Sequence, residues 1–305
     1  MKAVNAGALP RYFGFGRGIS VLTWVTDHYA TFGTKVIPTR VREGLFALDE
    51  IFALRDRDSE LLIAEHTTDT AGFTDLLFGA YDLVGLAFSP RIRDLPDQRL
   101  WHVDDTIVPG DVRGLIRNKI DSGCIVEHWD DLLRLGASIH EGTVLPSLVL
   151  TKLQAYPRRN ALARALQEYG RLVKTLFILR YLQQPDFRRR VGNQLNKGES
   201  LQALRDKVHF ARHGEIRQRQ LADQVAHAGC LTLVVNCIAA FNAELVGRAV
   251  DELRLAGFEV SDDDVAHLGP TMTEHLNVHG RYHFDLSATP KALRQVSVHS
   301  QSTAR

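Results

Sequence analysis

Cysteine is scarce: Cys124, Cys230 and Cys237 are the only three in 305 residues. An odd, sparse set argues against a disulfide framework and fits a reducing compartment, so the expected location is cytoplasmic. No Cys-x-x-Cys occurs, which removes the usual structural zinc sites. Met1 to Gly7 contain no apolar core of signal-peptide length. The longest apolar run, Leu231–Phe241, is interrupted by Thr232 and Asn236. It is too short to span a bilayer and reads as a buried helix, so no membrane partner is expected. Ser and Cys nucleophile motifs are missing. A net charge of +1 selects no class of partner by itself.

What charge there is, however, is unevenly placed. Between Lys152 and Arg219 the chain holds 16 Lys/Arg against 5 Asp/Glu, a local excess of +11, whereas Asp251–Asp264 is acidic. A basic block in a neutral chain predicts either a polyanion surface or a set of solvated helix faces. Its candidate phosphate contacts are Arg188, Arg189, Arg190, Lys197, Arg205, Lys207, Arg212, Arg217 and Arg219.

Hydrophobic periodicity divides the chain near residue 100. Ile19–Thr26 alternates at period two, and Thr34–Pro38 is a second short strand stopped by proline. Leu45, Leu48, Ile51 and Phe52 have helical spacing. Leu61–Glu65 reads as a buried strand, Phe73–Val84 as a helix and Leu86–Pro90 as a last strand. That order argues for a mixed sheet with helices packed on it. Trp101–Gly123 is loop-like. Beyond Ile125 the period is helical, with long stripes at Leu162–Leu179 and Leu231–Leu253, and Ser287–Arg305 reads as a frayed tail.

Two acids stand out. Asp69 follows the third strand, where open sheets collect catalytic groups; it serves equally well as the N-cap of the next helix. Asp75, the rival acid, is expected within that helix. Glu199, in Asn196-Lys197-Gly198-Glu199-Ser200, is expected to open a helix. It lies about 200° from Leu201 around the axis, off the apolar stripe of Leu201, Leu204 and Val208. It points either to a neighbouring element or into solvent, where the helix dipole alone would favour it. Carboxylates beside a basic surface suit Mg²⁺, a hard ion that takes oxygen ligands, and two such ions can promote in-line phosphoryl displacement. A third acid would normally complete the set; Asp27 is the only early acid near a strand end. His66 reads as a support for Asp69 or as a structural residue. Gly14–Gly18 has the wrong spacing for a nucleotide loop, and His275 with His279 has no third zinc ligand nearby.

Several blocks occur in order: Pro10–Gly14, Gly16–Gly18, Thr67–Asp75, Phe88–Leu95, Tyr169–Arg171, Glu215–Arg217 and His275–Tyr282. Over about residues 2–285 the chain resembles the C-terminal catalytic region of the Tn3 family of replicative transposases. The resemblance implies an RNase H-like mixed sheet with a long all-helical insertion and a DDE triad. It also implies Mg²⁺ (or Mn²⁺) as cofactor, and transposon ends and target DNA as partners, with a homo-oligomer a further expectation. It assigns the second acid to Asp69 and the final Glu to Glu199, which lie 130 residues apart. The family's first Asp belongs to a strand upstream of the segment matching Lys2-Ala3-Val4, and these residues do not contain it. The expectation is therefore an N-terminally truncated, impaired enzyme or a non-catalytic DNA-binding remnant. The expected division is 1–98 for the first part of the core, 99–190 for the insertion, 191–285 for the Glu-bearing and C-terminal helices, and 286–305 for the tail.

Overall fold

The computed structural model describes residues 2–8, 17–38, 44–57, 62–69, 72–104, 114, 116–155, 160–277 and 280. The Pro10–Gly14 block and the tail lie outside them. Contacts divide the chain into one large unit, Met1–Thr271, and a small one, Met272–Arg305. Of the small unit the described part includes a turn in which the Leu276 N–H donates to the Thr273 carbonyl at 3.0 Å.

In the large unit, β1 (Lys2–Ala8), β2 (Arg17–Val25) and β3 (Thr31–Pro38) form an antiparallel sheet in the order β1-β2-β3. The alternation read in Ile19–Thr26 is that of β2, paired with β3 from Ile19↔Pro38 to Val25↔Thr31. Helix α1 (Gly44–Arg57) buries Leu45, Leu48 and Ile51. Strand β4 (Glu65–His66) pairs in parallel with β5 (Ala87–Phe88), and α2 (Asp75–Leu83) connects them. Among the described residues the sheet is thus not continuous: it comprises one three-stranded and two two-stranded pieces.

Two expectations about the strands need correction. The apolar run before Asp69 is not a buried strand: Leu62 is 91% exposed, and strand pairing begins only at Glu65. Trp101–Gly123 is not all loop, because β6 (Leu100–His102) pairs in parallel with β7 (Ile116–Lys119). Three- and four-residue strands leave too little alternation to be read from sequence. Thr175 Oγ1 fixes the Trp101 N–H of β6 at 3.1 Å.

The remainder is helical: α3 (Ser122–Glu127), α4 (Trp129–His140), α5 (Pro146–Ala155), α6 (Ala161–Gln183), α7 (Pro185–Val208), α8 (Leu221–Leu255) and α9 (Asp262–Ala266). Their starts follow local chemistry. Asp121 and Asn160 accept from the Cys124 and Ala163 N–H groups as N-caps of α3 and α6. One apolar cluster takes in Trp24 of β2, Leu77, Phe78 and Tyr81 of α2, Leu132 of α4, Leu166 and Ile178 of α6 and Val191 of α7. It crosses the position at residue 98 where the sequence pattern changes. The longest helix, α8, docks one side on β3 and α7 through Thr232 and Asn236, which hydrogen-bond Thr34 and Thr31. Leu233, Val234 and Phe241 are exposed, so the reading of Leu231–Phe241 as a buried helix is corrected: only the side carrying Leu231, Val235 and Ala239 is buried. By length and composition it could cross a membrane.

Asp75 sits in α2, as expected, and α6 holds it there. Lys174 Nζ lies 2.5 Å and Arg171 Nε 3.5 Å from its carboxylate. The Arg171 guanidinium also stacks 4.1 Å from the Trp101 ring centre. Removing one partner of a mostly buried pair leaves the other charge poorly solvated. Lys174→Met is expected to lower stability by about 2 kcal/mol, less than for an isolated pair because Arg171 remains. An unchanged urea midpoint would contradict that.

Candidate active site

Asp69 lies three residues past β4, and its carbonyl accepts from the Gly72 N–H at 3.2 Å. It is exposed and is not the N-cap of α2; Thr74 takes that role, accepting from the Leu77 N–H at 3.3 Å. Parallel pairing sets the surrounding frame. The Ala64, His66 and Thr68 carbonyls accept from the Ala87, Ser89 and Arg91 N–H groups at 3.0, 2.9 and 2.8 Å. Ladder-like bonding thus continues past both strands to the residue next to Asp69.

Glu199 does not open a helix. It lies just past the middle of α7, which begins at Pro185 and runs through Gly192 and Gly198. Two interior glycines cost about 1 kcal/mol each relative to Ala. Packing offsets this: Phe187 and Val191 belong to the main core, while Leu201 and Leu204 form a second cluster with Leu231 and Val235 of α8. Glu199 lies off that stripe, as helical geometry requires, and its Oε1 accepts from Arg91 Nη2 at 2.8 Å.

Arg91 is therefore the link. Its backbone N–H bonds the residue before Asp69, and its guanidinium holds Glu199. Arg91 thus ties Glu199 of α7 to the backbone beside Asp69, at the C-terminal edge of β4 and β5. Sequence reasoning assigned Arg91 no role, although it stood in the Phe88–Leu95 block. The pair is partly exposed, with Arg91 at 30% and Glu199 at 63%, so it contributes orientation more than stability.

Beneath this edge, His66 Nδ1 and the Tyr81 hydroxyl are 2.7 Å apart, and the imidazole stacks against Tyr81 and Phe88. Burial pushes the His66 imidazole down to about 4 and raises the Tyr81 phenol. His66 is thus a neutral side chain packed under the strand that leads to Asp69. Beside it, Ser89 Oγ donates to Glu65 at 2.5 Å, and Arg190 pairs with Glu65 at 3.0 Å.

The predicted DNA contacts separate into distinct groups. Arg189, Arg190, Lys207, Arg217 and Arg219 are exposed. Arg188 is half-buried and donates to the Tyr181 and Leu182 carbonyls at the end of α6. Lys197 donates to the Asp27 carbonyl at 2.7 Å, bringing α7 to the β2–β3 turn. Arg205 must be withdrawn as a phosphate contact. It is 3% exposed, its Nη2 donates to Thr232 Oγ1 at 3.2 Å, and burial lowers its pKa. The side chain of Arg212 lies outside the described residues. Asp69 and Glu199 offer the oxygen donors that Mg²⁺ or Mn²⁺ takes. Among the described residues, however, no three His, Cys, Asp or Glu side chains gather as a metal group. The donor type fits and the donor number falls short.

Residues 1–282 match the family described as Tn3 transposase DDE domain, and the chain belongs to that family. It is 38% identical over 285 residues to the transposase for transposon Tn1546 of Enterococcus faecium, covering 93% of this chain and 28% of that protein. It is 42% identical over 278 residues to the Tn2501 transposase of Escherichia coli, covering 91% and 28%. It is also 42% identical over 281 residues to the Tn501 transposase of Pseudomonas aeruginosa, covering 92% and 28%. The chain thus spans under a third of the length of these curated relatives.

Proposed function

We propose that these residues form the greater part of an RNase H-like DDE transposase core, which cleaves and joins DNA at transposon ends and contributes Asp69 and Glu199 to the acid triad. The observation that carries the proposal is the Arg91 bridge, which brings Glu199 of α7 to the segment bearing Asp69. Family membership supplies the reaction class. Mg²⁺ or Mn²⁺ would activate the attacking oxygen in such chemistry. Among the described residues Asp69 and Glu199 are two acids where a two-ion centre needs three, so joining by these residues alone is expected to be impaired. The role of its own side chains is to position: Arg91 orients Glu199, and the β4–β5 ladder fixes the backbone before Asp69.

The test is joining of a pre-cleaved transposon end to target DNA by the 305-residue chain in Mg²⁺ or Mn²⁺. No joined product is expected. Robust joining that Asp69→Ala abolishes would overturn the claim of impairment. A second reading, a non-catalytic DNA-binding remnant, is favoured by the exposed Arg189, Arg190, Arg217 and Arg219. It predicts salt-dependent DNA affinity that survives Asp69→Ala and Glu199→Ala. Substituting Arg189 and Arg190 with Ala should weaken binding by roughly tenfold at low salt and flatten the salt slope by about 2. An absence of DNA affinity at low salt would remove this reading.

A further inference from the structure

His209 is the C-cap of α7, and His227 lies in the second turn of α8. Their Nε2 atoms face each other at 2.9 Å, with ring centres 4.8 Å apart and ring planes at 68°. The ring centres are much farther apart than the nitrogens, so the two Nε2 atoms are the facing ends of the pair. Partial burial, together with His227, holds the His209 imidazole below its ordinary pKa. His209 is thus neutral at pH 7, the form that ligates a metal. Neither histidine belongs to the site at Asp69 and Glu199.

The neighbours of the pair suit that use. The Gln218 amide lies 3.3 Å from His227 Nδ1. With its oxygen toward that nitrogen the amide accepts an Nδ1–H, which leaves the Nε2 lone pair for an ion. Gln224 Nε2 donates to the Gln218 carbonyl at 3.0 Å and anchors that residue. A β-carbon at Gly214, whose φ is +69°, would stand 3.6 Å from His209 Nδ1, so the chain turns closely beside the imidazole. Asp206 is exposed and stands three residues before His209 on α7, where its charge acts on that ring.

We propose that His209 and His227 bind one Zn²⁺ ion between their Nε2 atoms, with Asp206 as third donor and water in the fourth position. Zn–N bonds of about 2.0–2.1 Å at tetrahedral angles put two nitrogens about 3.3 Å apart, so the pair opens by only about 0.4 Å. Among the described residues the carboxylate does not already complete a group of three, and it reaches the ion by turning its exposed side chain. Imidazole suits Zn²⁺, whereas Mg²⁺ and Mn²⁺ favour oxygen, so this ion is distinct from any held by Asp69 and Glu199. The two histidines are 18 residues apart, and the span between them carries the exposed Arg217 and Arg219. An ion that closes this span restricts it and fixes the two cations relative to α7 and α8.

The test is calorimetric titration of zinc chloride into the 305-residue protein with excess magnesium chloride present. Binding with a Kd of about 10 µM or tighter is expected. His209→Gln and His227→Gln should each weaken it by about 100-fold, and Asp206→Asn by about tenfold. Glutamine keeps a hydrogen-bonding end, so thermal unfolding of the zinc-free variants should match the parent. His275→Ala, in the small unit, should leave the affinity unchanged. Zinc should also slow amide exchange at Glu215–Arg219 by about tenfold in the parent, and in neither glutamine variant. Zinc affinity that survives both His209→Gln and His227→Gln would overturn the proposal, because the ion then sits elsewhere. An absence of binding at about 1 mM zinc would overturn it too.

Discussion

Gly170→Ala is expected to destabilise the fold by about 3 kcal/mol or more, the largest effect of any single methyl addition considered. Gly170 lies where α6 crosses the start of α2. A β-carbon there would overlap the Asp75 carbonyl oxygen, and would stand 2.6 Å from the Asp75 carbonyl carbon and 3.1 Å from the Gly79 nitrogen. These atoms are backbone and cannot turn aside as a flexible side chain would. A β-carbon at Gly79 would meet the Leu166 carbonyl oxygen at 2.9 Å, so the two glycines allow one close helix crossing. Relief requires the helices to separate, which opens the cluster around Phe78, Leu166 and Phe177. Urea unfolding measures the loss. A variant with the parent midpoint and slope would contradict the crossing as described.

The second large effect depends on acidity. Folded His66 has its pKa pushed down to about 4 by burial, against 6.5 for the free imidazole. The unfolded chain therefore binds a proton that the folded chain refuses between those two values. The linkage sign follows: the stabilising contribution is intact above about 6.5 and is lost progressively as pH falls toward 4. The loss amounts to about 3 kcal/mol by pH 4. His66→Gln retains a group that can bond the Tyr81 hydroxyl but has no proton to take up. Its stability should fall less between pH 7 and pH 4.5 than that of the parent, by about 2 kcal/mol. Carboxylates titrate in both proteins, so the difference isolates His66. Parallel stability–pH curves would refute the burial of a neutral imidazole.

Much of the helical framework was legible because its apolar stripes are long. The Leu162–Leu179 stripe became α6, and Leu45–Phe52 became α1. Short strands were not. β6 and β7 gave no periodic signal, and β4 was displaced because Leu61-Leu62-Ile63-Ala64 looks more buried than it is. At Glu199 the sequence misled through Asn196 and Gly198, which resemble a helix start; packing of α7 against α6 and α8 overrides them. Arg205 misled in another way, since a basic run does not say which of its members turns inward to Thr232. The resemblance blocks have roles that only contacts reveal. In Tyr169-Gly170-Arg171, Tyr169 bonds Asp82, Gly170 permits the α2–α6 crossing and Arg171 packs on Trp101.

Asp69 and Glu199 are the proposed acids of a transposase site, with Arg91 holding Glu199 to the backbone before Asp69. The most direct measurement uses the Tn501 transposase of Pseudomonas aeruginosa carrying these residues in place of its own matched segment, with cointegrates counted. The parent chimera is predicted to transpose. Asp69→Ala and Glu199→Ala are each predicted to reduce cointegrates by about 10³-fold or more, with no further loss when combined, as for groups acting as a unit. An Asp69→Ala chimera that transposes as well as its parent would contradict the account.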